Sequence, residues 1–301
     1  MSEIYPRKNN LDLQEEIMLD MVMDAVMDSV KLLPFLFLTY VLMEWLEHKT
    51  GLAAKNRIRK AGKLGPVWGG LLGVVPQCGF SVAATSLFSG RVITIGTLIA
   101  VYLSTSDEML PIMISNAVPV STIVKILACK AVIGIFSGLV LEYVYTHVLK
   151  KQEKEMHIHD ICEEEHCHCE HGIFRSAAVH TLKIFGYIFL ISLILNVIIG
   201  FVGEDTLAGV FSAMPVVGEV IAALVGLIPN CASSVVITQL YLDHIIGAGA
   251  MMSGLLVNAG VGLMVLFRLN KDRAETLKVL GTLYALGVFW GIVIEMLGIV
   301  F

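Results

Sequence analysis

The sequence predicts an all-α, polytopic membrane protein: two inverted repeats of about five transmembrane helices each, with Pro-broken helices at the midplane. Three observations predict it. Hydrophobic residues make up 56% of the chain and charged ones only 16%, whereas soluble domains carry about 25% charged residues. The apolar runs are continuous rather than alternating, which argues against a strand barrel. Finally, the chain is written twice: Pro76-Gln77-Cys78-Gly79-Phe80-Ser81 returns as Pro229-Asn230-Cys231-Ala232-Ser233-Ser234, an offset of 153 residues.

At that offset Gly73 matches Gly226, Thr85 matches Thr238 and Gly96 matches Gly249, and so do Gly134 and Gly287, Gly138 and Gly291, Glu142 and Glu295. Duplicated apolar halves joined by a polar insert are the pattern of many membrane transporters. The expected division is residues 1–149 for the first membrane repeat, 150–175 for a cytoplasmic His/Cys/Glu-rich loop and 176–301 for the second repeat.

Taken in order, the first repeat opens with a helix from about Asp24 to His48, followed by a loop carrying Lys49, Lys55, Arg57, Arg59, Lys60 and Lys63. The apolar stretch from Leu64 to Gly90 is interrupted at Pro76-Gln77-Cys78, and the next, from Val92 to Asn116, at Ser104-Thr105-Ser106-Asp107-Glu108. A last helix covers about Val120 to Leu149. The second repeat follows the same plan from His180, with breaks at Pro229-Asn230-Cys231 and near Val257-Asn258-Ala259-Gly260. No cleavable leader is expected from the polar start MSEIYPRKNN.

Charge sets the orientation of the halves, because lysine and arginine favour the cytoplasmic side. The basic loop Lys49 to Lys63 is read as inside, and its counterpart, Phe201 to Val217, which has Glu204 and Asp205 but no Lys or Arg, as outside. Conversely Arg268, Lys271, Arg273 and Lys278 read as inside, and the uncharged counterpart Ser115 to Val124 as outside. Equivalent loops on opposite faces mean inverted repeats with an odd number of crossings each. Five per half fits best; three per half plus a re-entrant hairpin competes. The insert is then cytoplasmic, both termini are outside, and the expected location is the cell membrane.

The paired Pro-x-Cys breaks are the first candidate site. Proline removes a backbone donor and frees carbonyls, which is tolerated in a membrane where the break lines a cavity. Gln77, Cys78, Ser81, Asn230, Cys231 and Ser234 would supply soft and neutral ligands there. Asp107 and Glu108, costly within a membrane, are expected on a polar pathway, binding a cation or relaying protons, with Asn116 and Asn258 adding oxygens. Glu44, Glu47 and His48 share one helical face and could hold a divalent cation or pair with the adjoining basic loop. In the insert, His157, His159, Cys162, His166, Cys167, His168, Cys169 and His171 lie among acids without a fixed zinc-finger spacing, so the segment reads as a flexible loop that captures metal. Cys129, alone in a helix, reads as a packing residue. Glu142 and Glu295, near helix ends, read as interfacial anchors.

No phosphate-binding Gly-rich loop is present, so transport would be secondary rather than ATP-driven. No acid, base and nucleophile constellation emerges, so no enzyme and no cofactor is expected. The expected partners are the lipid bilayer, a metal ion as cargo, a coupling proton and a second copy of the chain, but no nucleic acid.

Met43-Glu44-Trp45-Leu46-Glu47-His48, the two Pro-x-Cys breaks, Ser106-Asp107-Glu108 and the His/Cys-rich loop together resemble the ten-transmembrane heavy-metal exporters, also described as arsenic-efflux-like proteins or manganese transporters. The resemblance covers nearly the whole chain. The breaks are also similar to the Pro-x-Cys-Ser-Cys-Gly repeats of permeases linked to organoarsenical efflux. This chain keeps only the first cysteine of each motif, since Gly79-Phe80 and Ala232-Ser233 follow. The resemblance implies a secondary exporter of a divalent metal, manganese favoured. The alternatives are efflux of arsenic species or a sulfur-containing anion, and a membrane metal sensor.

Overall fold

Among the described residues, helix follows the apolar runs and stops at the interruptions. The computed structural model describes residues 64–75, 78–106, 109–148, 217–270 and 272–301, with scattered helical positions between 23 and 41 and between 178 and 194. Among the described residues there is helix but no strand. In the first half the helices are α1 (Gly65–Gly73), α2 (Cys78–Ser89), α3 (Ile95–Ser104), α4 (Met109–Ser115) and α5 (Val120–Tyr143). In the second half they are α6 (Val217–Gly226), α7 (Cys231–Leu242), α8 (Ala248–Val257), α9 (Gly262–Leu269) and α10 (Arg273–Met296).

Local chemistry sets several of these ends. Pro66 occupies the first turn of α1, where its missing N–H has no intrahelical partner to lose. The Thr94 hydroxyl accepts from Thr97 N at 3.3 Å to open α3, and the Asp272 carboxylate accepts from Glu275 N at 3.1 Å to open α10. The caps that close α2 and α7 are themselves duplicates. Arg91 and His244, 153 residues apart, both turn into the left-handed region at φ 60° and 57°. There Val92 N reaches back to Leu87 O at 2.8 Å and Ile245 N to Leu240 O at 2.9 Å, the six-to-one bond of a Schellman turn.

The first two helices of each half form a hairpin. Gly65 lies against Thr97 at the start of α3 and Gly73 against Val101 and Ser104 near its end, so α1 runs parallel to α3. α2 then returns, its Thr85 hydrogen-bonded to Tyr102 at 2.5 Å, and ends at the Arg91 turn just before α3 begins. The second half repeats this: Gly218 lies beside Ala250 and Gly226 beside Gly254, and α7 leads back to the His244 turn ahead of α8.

Small residues let the backbones approach, as in membrane helix pairs generally. A Cβ on Gly138 would stand 2.6 Å from Gly96 O, and one on Gly291 2.8 Å from Gly249 O. The halves also interlock. α2 packs on α9 and α7 on α4. The Thr85 and Tyr102 hydroxyls both reach Gly262 O, at 3.2 and 3.3 Å, and Trp290 Nε1 donates to Ser137 Oγ, its own repeat counterpart, at 3.0 Å. An ion pair of 2.6 Å between Arg91 and Glu275 fastens the α2–α3 turn beside the start of α10.

Glu142 and Glu295 act on helix ends rather than simply at a boundary. Glu295 Oε2 accepts from Gly249 N at 2.9 Å, supplying the first turn of α8 with an acceptor from another helix. The Glu142 carboxylate takes the equivalent position over Gly96 in α3. In both places a negative charge faces the positive end of a helix dipole.

Among the described residues, four apolar stretches are long enough to cross a membrane: Ile95–Ser115 (carrying α3 and α4), Val120–His147, Ala248–Leu269 (carrying α8 and α9) and Arg273–Met296, of 21, 28, 22 and 24 residues. The shorter apolar helices, Gly79–Ser89, Val217–Gly226 and Ser233–Leu242, fall below that length.

Candidate functional site

A small cavity opens where the interrupted helices of the two halves meet. It measures ≈ 10 Å³, about the room one water needs, and is lined by Thr105, Ser106, Met109, Lys130, Ser234, Leu255 and Asn258. Thr105 and Ser106 follow the end of α3, Met109 opens α4, Ser234 lies in the first turn of α7, and Asn258 follows α8. Every one of these polar residues is buried. The cavity lining is mostly polar, with Met109 and Leu255 the two apolar members.

The polar groups are held in place locally. Thr105 Oγ1 donates to Val101 O at 2.7 Å and Ser106 Oγ to Ser104 O at 3.3 Å. Asn258 Nδ2 donates to Ser233 Oγ at 3.0 Å, while Asn258 Oδ1 accepts from Gly260 N at 2.8 Å. Ser233 Oγ donates in turn to Asn230 O at 2.7 Å, which ties the Pro229-Asn230-Cys231 break to the Asn258 break. Asn230 itself is 5% exposed, so this break is an interior feature.

Ser234 and Asn258 are therefore brought to one cavity, with the Asn230 carbonyl two hydrogen bonds behind Asn258, through Ser233. Ser81 is fully buried but belongs to the contact between α2 and α9, where a Cβ on Gly262 would stand 3.0 Å from its Cβ. Asn116 is not brought in: it is exposed beyond the end of α4, its amide on Ile112 O at 3.0 Å. Gln77, Asp107, Glu108, Glu44, Glu47, His48, the side chains of Cys78 and Cys231, and the loop candidates His157, His159, Cys162, His166, Cys167, His168, Cys169 and His171 lie outside the described residues. Among the described residues, no group of three or more His, Cys, Asp or Glu side chains is placed to hold a metal.

Two charged residues missed by the sequence reading stand out. Lys130, in the interior of α5, is 1% exposed, and its Nζ donates to the carbonyls of Thr105 and of Leu255, the latter at 2.8 Å. It reaches one interrupted segment from each half. Its repeat counterpart is Leu283, so the charge breaks the symmetry of the site. The signal was present: an ionisable side chain in the middle of an apolar helix is a functional candidate by default. Glu219, in the first turn of α6, is 3% exposed, and no partner is found for its Oε2 among the described residues.

Comparison with curated proteins and with solved structures returns no match. Comparison with known families returns one, over residues 14–204, which takes in the first half, the central insert and the start of the second half. That family is described as "Putative, 10TM heavy-metal exporter", and with more than half of its 301 residues matched, an all-helical build and several helices of membrane-spanning character, this chain belongs to it.

Proposed function

We propose that the protein is a secondary transporter that exports a divalent heavy or transition metal ion, manganese favoured, through the cavity between its two halves. The observation that carries this reading is the cavity wall: Thr105 and Ser106 from one half face Ser234 and Asn258 from the other. Hydroxyl and amide oxygens are hard ligands suited to manganese rather than to softer ions. Asp107 directly follows Ser106 in the chain and would add a carboxylate.

Opposed orientation of the repeats supports alternating access. The Arg91–Glu275 pair ties the start of α3 to the start of α10, whereas Glu295, at the far end of α10, caps α8. α3 and α8 thus enter from opposite ends, and their interrupted ends meet at Lys130. The hairpins α1–α2 and α6–α7 support three crossings per half plus a re-entrant loop. Counted by hydropathy, each half still has five apolar segments, in keeping with the family's ten. The basic loop Lys49–Lys63, Arg91 and Arg268 then share the cytoplasmic side, as the distribution of positive charge requires.

Lys130 favours a second reading. An ammonium on the cavity wall repels a divalent cation and attracts an anion, and so do the helix N-termini of α2, α4, α7 and α9 near the breaks. An arsenic species or a sulfur-containing anion would meet that field.

Proteoliposomes containing the full chain separate the readings, with manganese, zinc, arsenite and thiosulfate supplied on either side. Saturable manganese flux, falling about tenfold or more in Asn258→Ala and Asp107→Asn as expected for loss of one ligand worth about 1.4 kcal/mol, supports the metal reading. Flux of arsenite or thiosulfate alone replaces it with the second. Flux of none of the four in liposomes, with loss of cellular metal response on deleting Met156–Gly172, supports a membrane metal sensor instead.

A further inference from the structure

The carbonyls that hold Lys130 are of a particular kind. Thr105 closes α3 in an extended conformation, φ −59° and ψ 135°, so its C=O points out of the helix. Leu255 belongs to the last turn of α8, where carbonyls lack intrahelical donors. Both sit at the partially negative end of a helix. Away from water such oxygens require a partner, and in transporters with interrupted helices they commonly coordinate a monovalent coupling cation. Here a covalently attached ammonium takes that place.

We propose that Lys130 is a built-in cation. Its Nζ fills a monovalent-cation site shared by the two halves, so the transporter works without sodium or potassium, and removing the side chain exposes a site that a free alkali cation can enter. This rests on the transporter reading above but not on the identity of the cargo. The oxygens that would receive the ion are the Thr105 and Leu255 carbonyls, with the Ser106, Ser234 and Asn258 side chains on the wall of the adjoining cavity. The second half offers no equivalent, because Leu283 replaces the lysine and is itself fully buried.

The test compares wild type, Lys130→Ala and Lys130→Met as purified full chains in detergent, melted in sodium, potassium or choline chloride at equal ionic strength without cargo. Wild type is expected to melt at the same temperature in all three. Lys130→Ala is expected to be stabilised saturably by sodium or potassium over choline, by about 5 °C or more at saturation. Lys130→Met, which fills the same space without charge, is expected to show no such preference. Recovery of folded Lys130→Ala only from sodium- or potassium-containing extracts also supports the proposal. Wild-type stability that depends on sodium or potassium overturns it. So does a folded Lys130→Ala indifferent to the salt, and so does failure of that variant to fold in every salt. Because no cargo is involved, a wild type that moves no metal counts against the exporter reading alone.

Discussion

Alanine at Gly291, set against alanine at Gly281 on the same helix, measures how tightly α10 is packed. An added Cβ at Gly291 would lie 2.5 Å from Ser253 Cβ, 2.8 Å from Gly249 O and 3.1 Å from Ser253 Oγ. Carbon atoms rest about 3.5–4.0 Å apart, so α8 and α10 must part by roughly 1 Å. Overpacking of that kind costs about 1–3 kcal/mol. Alanine's better helix propensity returns up to about 1 kcal/mol, leaving a net loss of up to about 2 kcal/mol. At Gly281 a Cβ meets nothing within 4 Å, so only the propensity gain of about 1 kcal/mol remains. The propensity gain is common to both, so the variants should differ by the overpacking cost, about 1–3 kcal/mol, or roughly 2–12 °C in melting temperature for a chain of this size. Thermal melts followed by fluorescence-detected gel filtration in detergent read the difference. A Gly291→Ala protein melting at or above Gly281→Ala would refute the close approach of these helices.

Glu295 gives a related contrast: Glu295→Ala removes the acceptor of Gly249 N and should lower stability by about 1–2 kcal/mol, while Glu295→Gln keeps an oxygen there and should lose less than half of that, in the same melts. Membrane-impermeant labelling of single cysteines at Lys55, Arg91 and His244 should modify the first two from one side and the third from the other. Arg91 labelling from the same side as His244 would mean that the α1–α2 segment crosses rather than returns.

The duplication was legible because glycine, proline and cysteine at the breaks are hard to replace without changing the backbone, and the helix limits near Pro229, Ser104 and Asn258 follow those residues. Hydropathy registers two short apolar pieces around Pro76, but whether the second continues or returns depends on contacts such as Thr85 with Tyr102. Lys130 carries the same signal as Asp107 and Glu108, a charge within an apolar run, but lysine cannot ligate a cation, so ligand chemistry alone does not single it out. Glu142 and Glu295 were read from sequence position as anchors. Their role over α3 and α8 could not be seen there, since Gly249 lies 46 residues from Glu295. Ser234 and Asn258, small polar residues beside an interruption, line the cavity, whereas Asn116 carries the same sequence signal and sits at an exposed end.

The crossed seating of α2 against α9 and of α7 against α4 bears on ancestry. Each copy lodges an arm in its sibling, so neither presents a finished surface by itself. A forebear carrying one copy could have closed the same contacts only as a pair of identical polypeptides. Their descendants have since parted at many positions, among them the one that is lysine in the first copy and leucine in the second.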